Sequence, residues 1–551
     1  MKIFSKQKII IILIFLFALI LRLSNINWDS DNHLHPDERF LTMVTNDISL
    51  PSSLIQYFDS ATSPLNPYNY PQYQFFVYGT FPLFLTKILA VFLNLNNYNQ
   101  IAILGRALSA LFDSGNIVLL YLISKKILKS FYIYLPSLFY SVLILPLQLS
   151  HFFAVDTFLS FFLLLTFAFF SYQLFIPAFI FFGLALACKI SALYFVPVIL
   201  LFLVKKPKKI IYFVFTFIAF RIFQPYVFSS LFAPNSLFIA NIKTLTSFSD
   251  PNAFYPPGVQ WLNRIPLLNS FKNLTIWGLG LPLSFSLIFF LFRFLLKSKI
   301  EFRLNLPFII SFWTLFLFIY QGSQHVHTMR YFLPIYSSIC LVFTLLLSHL
   351  KINKTIIFFI FFLSSIYAFS FLSIYSRPNS RVQASYWIKN NIPQNSVLSS
   401  EYWDDALPLG YSSFQSISLP LFDPDTPQKW AQINYSLDQI DFLVLSSNRL
   451  WATIPRVPDK YPIASKFYNN LFSQNTNFVK LTEFNSYPGF SIPQIKSCYY
   501  FGPSNFPGVK NSWFSVDKDC YYPGLYLRDD TAEEAFTVYD HPKVLIFSKQ
   551  K

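Results

Sequence analysis

At 551 residues, 54% of them hydrophobic, only 12% charged and 69 of them phenylalanine, the chain is too apolar for a soluble globular protein. A net charge of +16 would suit nucleic acid if the cations lined one face. Lys and Arg instead fall in short clusters between apolar runs, which argues against a nucleic-acid partner and makes them signals of membrane topology.

The apolar runs fill residues 9–375 and then largely stop, which predicts a membrane domain over 1–375 and a water-facing one over 376–551. A crossing helix needs about 20 apolar residues and carries its Lys/Arg excess on the cytoplasmic side. The first run, 9–24, follows Lys2, Lys6 and Lys8, so the N-terminus is placed in the cytoplasm and Trp28 outside. No small-residue cleavage site follows, and the run is read as a retained helix. Clusters at Lys125/Lys126/Lys129, Lys205/Lys206/Lys208/Lys209, Lys297/Lys299/Arg303 and Lys351/Lys354 are likewise cytoplasmic.

Those anchors predict spans near 101–123, 131–150, 157–175, 176–188, 191–204, 210–228, 275–296, 305–321, 331–349 and 355–375; with the first, that is about 11 helices. The run 75–93 would put Lys125–Lys129 on the wrong side if it crossed, so it is assigned as interfacial or re-entrant. The odd count places the tail outside the cytoplasm of an inner-membrane protein, together with a first extracytosolic loop over 25–100. Within the tail, Val382–Asn391 reads as a helix ahead of Pro393, and 396–400, 441–446 and 543–547 read as strands. The expected fold class is therefore an α-helical polytopic membrane protein with a small C-terminal extracytosolic α/β domain. The four cysteines are too few for a disulfide scaffold. Cys188 and Cys340 lie in apolar runs and read as small buried residues, whereas Cys498 and Cys520, in an oxidising compartment, either pair or remain thiols.

Ionisable residues at membrane depth are costly and mark function. Arg22, Arg106, Asp156, Lys189, Arg221 and Arg330 all fall towards the outer ends of their spans, as do His33, His35, His151, His325 and His327. Some of those cations snorkel to headgroups; Asp156 does not. The densest cluster is the first loop, where adjacent Asp37 and Glu38 suit a base and its orienting partner and Pro36 stiffens the approach. His33-x-His35-x-Asp37 and His325-x-His327 have the alternation of metal ligands, but no HExxH occurs and no metal is assigned. Nor is there a Gly-rich phosphate loop or a GxSxG elbow.

These pieces resemble, in order, the polyprenyl-phosphate-sugar-dependent glycosyltransferases of the GT-C fold, the group that includes protein O-mannosyltransferases and the lipid A aminoarabinose transferase. The matching segments are His35-Pro36-Asp37-Glu38, Tyr78-Gly79-Thr80-Phe81-Pro82, Gly105-Arg106-Ala107-Leu108-Ser109-Ala110, Ser150-His151 with Asp156, Gly183-Leu184-Ala185 through Lys189, and Arg330-Tyr331-Phe332-Leu333-Pro334. In the tail they are Glu401-Tyr402-Trp403-Asp404-Asp405-Ala406-Leu407-Pro408 and Asp540-His541-Pro542-Lys543-Val544.

The resemblance implies a sugar donor on a polyprenyl phosphate within membrane lipid, no cofactor, and an acceptor that is an envelope glycan, lipid or protein. It makes Asp37 the base that takes the acceptor's proton during inversion, with Glu38 as its support. Arg330, Lys189 and then Arg106 are the candidates for the donor phosphate. Asp156, His35, His151, His327 and Trp261 are the candidates for substrate contact; Trp261 reads equally as an interfacial anchor. Two other functions compete: a transporter or flippase of a lipid-linked substrate, which also needs cations at headgroup depth, and a metal-dependent hydrolase using the histidines.

Overall fold

The computed structural model describes residues 6–95, 97–297, 303–410 and 413–550. Lys2 and Lys299, two of the topology charges, lie outside the described residues. The chain divides into two units: Met1–Ile26 with Pro36–Ser247 and Ser270–Ala368, and Asn27–His35 with Phe248–Asn269 and Phe369–Lys551.

The first unit is helical. Among the described residues, Tyr98–Ile127, Met329–His349 and Lys354–Asn391 are long and apolar enough to cross a membrane, and the pair Ser130–Ser141 and Ile144–Ser150 is a fourth if it counts as one span. Phe81–Phe92, Val155–Ser171, Phe175–Cys188, Ile190–Leu203 and Leu306–Gly322 are apolar but shorter. The chain is thus a helical membrane protein, while the count of about 11 spans is not confirmed.

Apolar runs are cut where the backbone chemistry dictates. The run 131–150 is not one straight span but is bent by 56° between Ser141 and Ile144, because Pro146 has no N–H for the Val142 carbonyl and its ring crowds that turn. The run 275–296 is divided at Gly280, whose φ of +86° is one that L side chains rarely adopt. The long helix Tyr98–Ile127 starts in a capping box in which Asn97 and Gln100 satisfy each other's backbone N–H. Apolar attraction adds little between helices already surrounded by lipid tails, so association rests on close packing. Here phenylalanines supply it, for example Phe112 with its ring centroid 4.5 Å from that of Phe158 and Phe81 edge-on to Phe162 at 5.3 Å.

The second unit is α/β. Its larger sheet has the order β2-β1-β3-β9-β4, from Val397–Glu401 (β1), Gln415–Leu419 (β2), Phe442–Leu445 (β3), Phe478–Phe484 (β4) and Val544–Lys549 (β9). β1 pairs in parallel with β2 and β3, and β9 lies antiparallel between β3 and β4. Alternation along the strands builds two cores. Leu443, Leu445, Leu545 and Phe547 pack on helices Pro427–Gln439 and Pro462–Phe472 through Ile433 and Tyr468. Val444 and Ile546, on the other face, pack on helix Ser380–Asn391 through Ala384 and Ile388. A smaller sheet, β5-β8-β6-β7, is made of Gly489–Ser491 (β5), Cys498–Phe501 (β6), Phe514–Asp517 (β7) and Gly524–Leu527 (β8). A disulfide joins Cys498 to Cys520.

Both tail motifs carry largely buried charge. Arg381 donates to Asp404 at 2.7 Å and to Asp405 at 2.9 Å, and Arg449 pairs with Glu534 at 3.0 Å. His541 lies between Asp540 at 2.5 Å and Asp529 at 2.7 Å. Burial pushes the His541 pKa down, but the two carboxylates outweigh it and hold the pKa up at about 10; burial raises Glu534 to about 7 against the pull of Arg449. Both groups hold protons more tightly folded than unfolded. Their contribution to stability is complete below their ordinary pKa values of 4.5 and 6.5 and is lost as pH rises through about 7 and then about 10. The melting temperature of the purified protein is therefore expected to fall between pH 5 and pH 10, and His541→Gln should flatten the part above neutrality. A melting temperature that climbs over this range would contradict the assignment.

Candidate functional site

The first-loop motif resolves into a helix start. Pro36 opens helix Pro36–Asp47, with Asp37 and Glu38 in its first turn, where a fixed φ and negative charge both suit the helix N-terminus. Adjacent on the chain, the two carboxylates have opposite surroundings. Glu38 is fully buried: its Oε1 accepts from Arg106 Nε at 2.9 Å and Nη2 at 2.5 Å, and its Oε2 accepts from the Phe153 N–H at 2.8 Å. Gly105 permits this packing, since a Cβ there would stand 2.3 Å from the Phe153 ring. Asp37 is paired instead with Arg330, and both side chains keep partial exposure, 26% and 21%.

A second ion pair follows from helix direction. Helices Val155–Ser171 and Phe175–Cys188 form a hairpin through 172–174, which brings Asp156, in the first turn of one, beside Lys189, just past the end of the other. Each charge sits at the helix end its sign prefers, and Lys189 Nζ donates to Asp156 Oδ1 at 2.8 Å. The two pairs meet on one aromatic ring: Lys189 Nζ lies 4.4 Å and Arg330 Cζ 5.6 Å from the ring centroid of Tyr331. The Tyr78 side chain neighbours Asp37. The next residue, Gly79, donates its N–H to the Cys188 carbonyl at 3.1 Å, so the Tyr78-Gly79-Thr80 segment is pinned to the helix end that carries Lys189. Four of the predicted residues, Asp37, Arg330, Asp156 and Lys189, are thereby brought together.

The other candidates have local partners. Arg106 is committed to Glu38 and to the Ile26 carbonyl, at 2.9 Å from Nη1. His151 is buried with its ring nitrogens on the carbonyls of Leu147 (2.7 Å) and Ser24 (2.9 Å). His327 closes the turn before Arg330 through the Gln324 and His325 carbonyls. His35 falls in the second unit, where its ring lies 4.3 Å from that of Tyr539. Trp261 also belongs to the second unit and is buried there, following Val259, which joins that unit's core.

Sequence reasoning missed Tyr331 and Tyr78 as components of the site, although they lie in the Arg330-Tyr331-Phe332-Leu333-Pro334 and Tyr78-Gly79-Thr80-Phe81-Pro82 segments that carry the resemblance. It also missed Asp113. That carboxylate is fully buried in the long helix Tyr98–Ile127 and takes Arg22 Nε at 2.6 Å and the Tyr140 hydroxyl at 2.7 Å. An acid in the middle of an apolar run was the available signal. Among the described residues no group of three or more His, Cys, Asp or Glu is gathered as a metal site needs.

The fold and site define a helical membrane protein with two carboxylate–cation pairs gathered on one tyrosine. Solved structures similar to this chain include the archaeal oligosaccharyltransferase AglB from Archaeoglobus fulgidus in complex with an inhibitory peptide and a dolichol-phosphate, at 13% identity over 84% of this chain and 73% of that one, with a TM-score of 0.48. The apo form of the Archaeoglobus fulgidus oligosaccharyltransferase matches 93% of this chain and 75% of its own at 12% identity and a TM-score of 0.48. ArnT from Cupriavidus metallidurans bound to undecaprenyl phosphate matches 86% of this chain and 96% of its own at 11% identity and a TM-score of 0.42. No protein-family model and no curated protein matches the chain.

Proposed function

We propose that the chain is an inverting glycosyltransferase that moves a sugar from a polyprenyl-phosphate-linked donor to an extracytosolic acceptor. The observation that carries this reading is the separation of roles between neighbours: Glu38 is sealed in a buried pair, whereas Asp37 stays partly exposed beside two cations that share Tyr331. When the donor arrives, Arg330 turns from Asp37 to the phosphate, joined by Lys189. The acceptor oxygen then attacks the anomeric carbon, its proton passes to Asp37, and the bond from that carbon to the phosphate oxygen breaks. The leaving phosphate keeps the bonding electrons and is neutralised by the two cations.

In this reading the N-terminus is cytoplasmic, the membrane is the inner membrane, and the domain over 376–551 is extracytosolic. Asp156 holds Lys189 in place and offers a contact to the sugar, while Arg106 fixes Glu38 rather than the donor. The acceptor is an envelope glycan, lipid or protein.

The test is to reconstitute the purified protein in phosphatidylcholine liposomes with a panel of polyprenyl-phosphate sugars and acceptors. Expected is consumption of one donor, release of polyprenyl phosphate and a product of inverted anomeric configuration. A donor that crosses the bilayer unhydrolysed and untransferred would establish the transporter reading instead, and a retained configuration would exclude direct displacement.

A further inference from the structure

The second unit contains a cleft that the transfer reaction does not use. It encloses about 580 Å³ and is walled by β4, the edge of the larger sheet, and by β6, β7 and β8 of the smaller one, with the Cys498–Cys520 disulfide in its lining. That volume is in the range of sites that hold a ligand of small-oligosaccharide size.

Its chemistry is unusual for a surface groove. Six Lys or Arg side chains line it against three carboxylates, Glu483, Asp517 and Asp519. Arg377, Arg528 and Lys543 are each less than 10% exposed. Arg377 donates to the Ser373 carbonyl and hydroxyl and to the Tyr487 carbonyl; Arg528 donates to the Gly502 and Ser512 carbonyls and the Ser515 hydroxyl. All of these acceptors are neutral, so the hydrogen-bond partners of the two guanidiniums cancel none of their charge; Glu483 acts on Arg528 through space but is itself paired with Lys480 at 2.5 Å, and Lys543 is paired with Asp530 at 3.2 Å. Buried charge is costly unless a counter-charge meets it. The same cations rest on aromatic faces: Arg377 is 4.9 Å from the Tyr526 ring centroid, Arg528 is 5.8 Å from Tyr500, and Lys543 is 4.3 Å from Phe506.

We propose that this cleft binds an acidic saccharide, with an anionic group on Arg377 and Arg528 and sugar rings against Tyr521 and Tyr522, the two tyrosines of its lining that are not buried. Sugar rings offer an apolar C–H face to an aromatic ring and hydroxyl donors at their edges, which Glu483, Asp517 and Asp519 accept. Those three carboxylates disfavour a polymer charged on every unit, such as a polyphosphate chain, and leave room for one that carries its charge sparsely. The inference stands on the cleft alone and does not depend on the transfer reaction.

The experiment is calorimetric titration of the full-length protein in phosphatidylcholine nanodiscs with tetrasaccharides bearing glucuronate, sulfate or phosphate, against cellotetraose and a hexaglutamate peptide. At least one acidic tetrasaccharide is expected to bind tenfold or more tighter than either control and to weaken as salt rises. Lys480→Gln combined with Tyr521→Ala alters two exposed positions and so leaves the fold intact; it should lower that affinity at least tenfold, and Arg528→Gln should do the same. Binding of none of the acidic saccharides, equal binding of cellotetraose or of hexaglutamate, or variants that bind as the parent does would each overturn the proposal.

Discussion

Asp37→Asn is expected to lower sugar transfer by roughly 10²–10⁴-fold, the contribution typical of a positioned general base, with little change in the KM for the donor. Asn keeps the size of the side chain and an oxygen that accepts from Arg330, but it takes no proton from the acceptor hydroxyl. The loss should therefore appear in kcat. Stability should change little, because the Asp37–Arg330 pair is partly open to solvent and such pairs contribute only about 0–1 kcal/mol. Arg330→Gln separates the two halves of the mechanism: it leaves Asp37 in place but removes one phosphate partner, so both KM and kcat for the donor suffer. Single-turnover transfer from the preferred donor, alongside thermal melts, reads all of these. Asp37→Asn retaining a tenth or more of parental turnover would remove Asp37 from the role of base.

The local chemistry of this site was legible in the sequence, and its partnerships were not. A dense cluster of acids just after the first apolar run and a charge at the end of an apolar run are properties of a few neighbouring residues, which is why Asp37, Asp156, Lys189 and Arg330 could all be singled out. Which carboxylate takes which cation depends on the packing of helices far apart in sequence: Glu38 meets Arg106 because Gly105 admits the Phe153 ring. The tail shows the same division. Strands β1, β3 and β9 lie in apolar β-rich runs and correspond to the expected 396–400, 441–446 and 543–547. The smaller sheet escaped because its strands, three or four residues long, are too short to show a period of two and, unlike the equally short β3, contain no two consecutive aliphatic residues. Residues 248–269 group with the second unit through side chains such as Val259 and Gln260; composition alone does not assign a loop to its core.

The largest effect on stability is expected at Arg106. Removing its guanidinium, as in Arg106→Met, leaves the Glu38 carboxylate fully buried with the Phe153 N–H as its remaining partner among those described above. Breaking a buried pair from one side costs about 3–5 kcal/mol, because the surviving charge has lost its compensation. The melting temperature and the yield of folded protein should both drop sharply. Replacing both partners, Glu38→Leu with Arg106→Met, removes the uncompensated charge and is expected to recover most of the stability, since apolar residues of similar volume often replace a buried pair at little cost. Transfer is the discriminating readout. Glu38 accepts the Phe153 N–H and so anchors the helix turn that carries Asp37. The double variant should therefore melt near the parent yet turn over more slowly, with donor KM held and kcat reduced. If it instead transfers sugar at the parental rate, Glu38 serves the fold alone.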